Sequence, residues 1–149
     1  MAEAAHNPAI VIAEVPPALT LQAWPYIEKW VARGVEYAYD TIEPSDIKRG
    51  LFEADFKLFV AYDERGKILD CSVVEVRQYP RKLCCNIIVV AGKANTMSIW
   101  GHEMYQSIEN WAKRKGCKLM TGIGRRGWEH FVTTRYGFQK VRAMYSKVI

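Results

Sequence analysis

Long hydrophobic runs are missing from this chain. No stretch approaches the ~20 consecutive apolar residues of a membrane-spanning helix. The short apolar segment Ala9–Val15 has no basic stretch before it and no cleavage site after it, so it does not read as a signal peptide. Histidine is scarce, with only His6, His102 and His130. The cysteines are Cys71, Cys84, Cys85 and Cys117; none forms a C-x-x-C pair, and adjacent Cys84 and Cys85 would face opposite sides of a strand. So few soft ligands, so spaced, predict no metal site. The thiols read as reduced, semi-buried side chains of a cytoplasmic protein. Repeats, low-complexity tracts and linkers are absent as well, and 149 residues suit one core rather than two. A single domain over 1–149 is expected, with residues 1–8 as a flexible N-terminus.

Acidic residues are also rare in the second half. Residues 76–149 hold 14 Lys/Arg against 3 Asp/Glu, a balance of +11, whereas residues 1–75 hold 7 against 13, a balance of −6. The basic half could face nucleic acid, an acidic partner or a phosphorylated ligand; equally, the two halves could neutralise each other across the fold.

What is present is mostly periodicity. Ala9–Ala13 reads as a strand stopped by Pro16-Pro17, and Thr20 can cap a helix with Leu21, Trp24, Ile27, Trp30 and Val31 on its apolar face, weakened or ended at Gly34. Pro44 or Ser45 starts a second helix through Ile47 to about Phe52. Three strands follow as an antiparallel meander: Phe56–Tyr62, Ile68–Tyr79 and Leu83–Ala91. The first turn is a hairpin, Asp63–Lys67, with Gly66 at the position needing positive φ. The unbroken apolar run Ile87–Val90 suits a buried central strand. Asn95, Thr96 or Ser98 can cap the next helix, whose Met97, Trp100, Met104, Ile108 and Trp111 share one face. Gly116 stops it; Cys117–Thr121 is a short strand, 122–127 a turn, Trp128, Phe131 and Val132 mark a last helix, and Phe138–Ile149 alternates as a final strand. The predicted class is α+β, a mixed, mostly antiparallel sheet with helices on both faces, in the order β-α-α-β-β-β-α-β-α-β.

Several motifs fail on context. Gly122-x-Gly124-x-x-Gly127 matches a dinucleotide fingerprint, but no acidic residue follows Glu129 to take the ribose. What survives is a Gly-rich turn where Arg125 and Arg126 could hold an anion at a helix N-terminus. His102-Glu103 begins like a zinc-protease helix, yet Gln106 stands where the second histidine belongs. No serine or cysteine sits in a nucleophile elbow.

Trp111-Ala-Lys-Arg-Lys-Gly116 and Tyr136-Gly-Phe138, in this order of elements, resemble the GNAT superfamily of acyl-CoA-dependent N-acetyltransferases over roughly residues 21–149. The resemblance implies a pyrophosphate loop of the form Arg-x-x-Gly-x-Gly/Ala opening the third helix. Counting back from Trp111, these positions are Thr96, Ile99 and Gly101, so one of the three is kept. Glycine matters there because backbone N–H groups must meet phosphate without a side chain between. The family's general-acid tyrosine falls on Thr133; Tyr136 lies nearby, in the usual packing position. Glu75 and Glu103 are candidates for a general base.

The resulting expectation is a GNAT-like fold with a degenerate acyl-CoA site, acting as a non-catalytic structural or interaction module with a protein partner and no cofactor. Gly124-Arg-Arg-Gly-Trp128 resembles GNAT-like proteins of tailed bacteriophages, implying a virion component or one active in the host cytoplasm. The alternative is a divergent N-acetyltransferase. Acetyl-CoA would then lie against Val89, Val90, Ala91, Thr96, Met97, Ser98 and Gly101, and Glu75 and Tyr136 would be the catalytic candidates. A second alternative is nucleic-acid or acidic-partner binding through the basic half. No membrane partner is expected.

Overall fold

A computed structural model describes residues 9–38, 41–123, 132–141 and 145–149, with Tyr37 described by its backbone alone. The first strand, β1, runs Val11–Val15, and Pro16 and Pro17 end it in a single 3-10 turn. Helix α1 spans Thr20–Val35 and buries Trp24, Ile27, Val31 and Val35, a stripe at three- and four-residue spacing. Thr20 does not cap this helix. It lies inside the first turn, buried, with Leu19 at the cap position, because the preceding 3-10 turn already delivers the chain in helical geometry. Pro25 sits within α1 on the exposed face, where its missing N–H leaves one backbone carbonyl to solvent.

Helix α2 covers Pro44–Phe52, with Pro44 at its start. Glu43 and Asp46 form a reciprocal capping box: Glu43 N–H donates to Asp46 Oδ2 at 2.9 Å. The meander follows as β2 (Lys57–Tyr62), β3 (Ile68–Gln78) and β4 (Leu83–Gly92). Gly66, at φ +77°, makes the predicted hairpin turn, and Asp63 Oδ1 accepts from the Arg65 and Lys67 N–H groups.

Helix α3, Met97–Arg114, crosses the sheet and leads to β5, Leu119–Gly122. It ends at Gly116 (φ +85°), where Cys117 N–H reaches Ala112 O and Gly116 N–H reaches Lys113 O, closing the last turn.

The sheet order is β1-β2-β3-β4-β5, antiparallel up to β4 and parallel between β4 and β5. Its two faces carry separate cores. On one, α1 and α2 pack over Leu58, Val60, Cys71, Val73 and Val89. On the other, α3 packs Trp100, Met104, Ile108 and Trp111 over Phe59, Ala61, Val74 and Cys85. Two one-residue slips interrupt the alternation: Leu69 is extra in β3, and Ile88 is extra in β4. The architecture is α+β with helices on both faces, as the periodicity predicts.

Among the described residues, the predicted strand Phe138–Ile149 is not found. Residues 138–141 and 145–149 belong to no strand, and Val141, Tyr145, Val148 and Ile149 face water. Alternation marks a segment able to pair, but a ladder also needs a neighbouring edge, and the described residues of this segment join none. Most of the predicted last helix, the turn at 124–127 and residues 1–8 lie outside the described residues.

Candidate functional site

The site is a consequence of β4 losing a neighbour. Pairing with β5 runs from Cys84↔Leu119 to Ile87↔Gly122 and stops. The extra residue, Ile88, follows at once. A bulge bends the strand that contains it and sharpens its twist, which carries the second half of β4 away from β5. Residues 88–92 keep their bonds to β3 while their other edge opens into a cleft of about 220 Å³.

This cleft passes through the sheet. Arg33 and Gly34 of α1 border it on one face, and Met97, Trp100, Gly101, Met104, Tyr105 and Ile108 of α3 border it on the other. Gly34 lets α1 approach this closely: a Cβ there would lie 2.7 Å from Val89 Cγ1.

Val132, Tyr136 and Phe138 close the far wall. Residues 132–135 form a helical turn whose Val132 carbonyl accepts from both Tyr136 and Phe138 N–H groups, a geometry permitted by Gly137 at φ +71°. That turn presents the Tyr136 ring to Tyr105, stacked at 4.2 Å between centroids, with Phe138 edge-on to Tyr105 at 6.0 Å. Burial pushes the Tyr136 hydroxyl above its ordinary pKa; Arg135 opposes that and Glu103 adds to it. The phenol therefore stays protonated through neutral pH and is suited to give a proton rather than take one.

Of the acyl-CoA positions expected from sequence, Val89, Val90, Ala91, Met97 and Gly101 line the cleft; Thr96 and Ser98 stand at its α3 end without lining it. Thr96 is occupied structurally. Its Oγ1 donates to Lys93 O at 2.7 Å and accepts from Trp100 Nε1 at 2.8 Å. It makes no capping bond, so the first turn of α3 keeps the free N–H groups that any uncapped helix presents. Ile99 is partly exposed, and its own N–H is taken by Thr96 O at 2.8 Å. The backbone at the family's glycine position is thus not available, while Met97 and Ser98 carry the helix's positive end.

Glu75 does not line the cleft. Its Oε1 accepts from Asn86 Nδ2 at 3.0 Å and pairs with Arg77, and Asn86 Oδ1 accepts from Thr121 Oγ1 at 3.0 Å. The three form a polar row across β3, β4 and β5 just before the strands part. Glu103 is exposed on α3, outside the lining. Arg125 and Arg126 lie outside the described residues.

Sequence reading missed Arg33, Ser72 and Tyr105. Ser72 lines the cleft from β3, and its Oγ makes no hydrogen bond. Behind it, on the same strand face, Asp70 is fully buried, and neither carboxylate oxygen has a hydrogen-bond partner among the described residues. Burial drives the Asp70 carboxyl well above its usual range, and the nearby Cys71 N–H and Ser72 hydroxyl offset only part of that. Among the described residues, no group of three or more His, Cys, Asp or Glu could hold a metal ion.

Neither a protein-family model nor a curated protein matches this sequence. Solved structures do match. An aminoglycoside acetyltransferase from an uncultured soil sample, in complex with sisomicin, superposes with a TM-score of 0.69 at 13% identity, covering 94% of this chain and 96% of that one. The chain has the GNAT fold. A Trypanosoma brucei acetyltransferase gives 0.69 at 11% identity over 94% of this chain and 100% of that one. Glucosamine-6-phosphate N-acetyltransferase from Arabidopsis thaliana gives 0.67 at 15%, over 94% and 98%. At these identities the likeness is one of fold.

Proposed function

We propose that this protein binds an acyl-CoA thioester in the β4/β5 cleft and transfers the acyl group to an amine. The through-sheet cleft carries this reading: an extended ligand can lie along the β4 edge while a second substrate reaches it from the opposite face. The residues fit the donor in part. The unpaired edge at 88–91 offers backbone groups to an amide-bearing chain, and the first turn of α3 offers its N–H groups to a pyrophosphate. Ile99 narrows that second contact, so the donor's phosphates are held by fewer N–H groups than a glycine loop supplies.

The thioester brings an activated acyl carbon. The chain's part is to hold it in the apolar cleft, exclude water, and supply the proton that the departing thiolate takes up as the C–N bond forms and the C–S bond breaks. Tyr136 is the residue for that proton, because it lines the cleft and stays protonated. Glu75, held by Asn86 and Arg77, orients the polar row and is not the base. The proton that the amine loses passes to solvent, and Tyr136 takes one back from solvent once the thiol has left.

Titration calorimetry with acetyl-CoA tests the proposal, with micromolar binding as the expected result. No binding would sink it. The chain would then read as a non-catalytic interaction module, for which a phage virion role is one form, and co-purification with a partner protein would support that reading. Steeply salt-dependent DNA binding would favour the basic half instead.

A further inference from the structure

Arg33 is the only charged residue among the described residues that line the cleft. It stands in the last turn of α1, and the close seating of Gly34 on Val89 fixes that turn against the cleft. Arg33 makes no hydrogen bond or ion pair with a described residue, although Glu36 is three residues along the chain. Arg33 is solvent-exposed, as are Glu28 and Lys29 of the same helix, but of these charges only Arg33 borders the cleft. Glu75, the carboxylate of the same sheet face, is committed to Asn86 and Arg77. A guanidinium at the mouth of a cleft walled by Ile, Val, Met and Trp presents a fork of donors to a group that enters it. The first turn of α3, which suits the donor's phosphates, lies across the sheet from it. A second anion-seeking group on the opposite face addresses the other substrate.

We propose that Arg33 is a specificity residue that binds an acidic group, carboxylate or phosphate, on the amine acceptor. The inference rests on the acyl-transfer reading for the identity of the reaction, but not for the binding itself. The test compares three amines under saturating acetyl-CoA: β-alanine, O-phosphoethanolamine and the neutral β-alaninamide. Wild type, Arg33→Gln and Arg33→Lys are assayed with each. In the wild type at least one anionic amine should exceed the neutral one by about 10-fold or more in kcat/KM, the size of a charge-assisted bond. The better of the two identifies the acidic group. Arg33→Gln should abolish that preference through a raised KM for the anionic amine, and Arg33→Lys should restore part of it.

Equal use of all three amines, or a preference that survives Arg33→Gln, overturns the inference and leaves acyl transfer standing. A lower melting temperature in Arg33→Gln with the preference intact would mean that Arg33 serves only the helix dipole, and overturns it too. If no amine is acylated, calorimetry with N-acetyl-β-alanine and N-acetyl-phosphoethanolamine decides. Binding that Arg33→Gln removes sustains the anion site although the reaction has failed; absence of binding overturns both.

Discussion

Tyr136 is half-buried and Asp70 fully buried, and the upward push of burial on each acid has opposite consequences. Tyr136 lines the cleft against Tyr105, so a raised pKa preserves its proton where a leaving thiolate would need it. Tyr136→Phe should lower kcat for acyl transfer by about 100-fold, within the range for a lost general acid, while acetyl-CoA affinity changes little. The wild-type rate should decline only on the far alkaline side, where the phenol ionises. An unchanged rate in the phenylalanine variant would remove Tyr136 from the chemistry. Asp70, fully buried, instead burdens the fold once it ionises. Its pKa is raised in the folded state, so the folded protein holds a proton that the unfolded chain releases. Its contribution is therefore fully favourable below pH ~4, the unfolded carboxyl's value, and is lost as pH rises towards the folded value. Asp70→Asn should flatten this decline, giving a variant that gains stability relative to wild type as pH increases. Urea unfolding at a series of pH values reads it directly; parallel curves would refute it.

At the scale of elements, helix periodicity and the meander were legible because their side chains report burial at every third or fourth, or every second, position. The apolar stripe of α3, the hairpin at Gly66 and the stop at Gly116 all follow from such local rules. The cleft was not legible, for a specific reason. The slip at Ile88 lies inside Ile87–Val90, where every residue is apolar, so a one-residue shift leaves no mark on the pattern. Arg33 and Tyr105 become neighbours of a cavity only because of that slip, and nothing around them in sequence announces it. The C-terminal alternation failed in the other direction, reading as strand a segment whose described residues join no ladder. Two substitutions probe the elements. Gly92→Ala would bring a Cβ to 2.5 Å from Leu69 O and 2.9 Å from Asp70 Cα, both backbone atoms, so the end of β4 must shift. A loss of roughly 1–3 kcal/mol is expected, read by urea titration, together with weaker acetyl-CoA binding. Pro25→Ala restores an N–H inside α1 and should raise stability by about 1 kcal/mol, or ~2–4 °C in Tm. A loss instead would show that the helix is adapted to the proline.

At the scale of the whole molecule, the sheet places its four thiols under helices or in strands. Cys71, Cys84, Cys85 and Cys117 are all free and buried, and Cys85 is pushed up to about 12 by burial and by its neighbours Cys117 and Cys84. Ellman's reagent should therefore react slowly with the native protein and quickly with all four thiols in guanidinium chloride. Rapid labelling of the native form would mean that one core opens easily. The uneven charge is bridged at least once across the chain, where Arg114 Nη2 lies 3.1 and 3.2 Å from the two Glu14 oxygens, joining the basic half to the acidic one. The parallel pairing of β4 with β5 also bears on the order in which structure is gained. β1 to β4 are joined to neighbours next in sequence, apart from the helical insertion after β1, whereas β5 must wait for all of α3 and is held by four residue pairs. It is the strand with least to lose by detaching, and amide hydrogens of Met120, Thr121 and Gly122 should exchange sooner than those of β3. Any molecule that fills the gap beside β5 would slow that exchange, so the protein carries in its weakest strand a built-in reporter of occupancy.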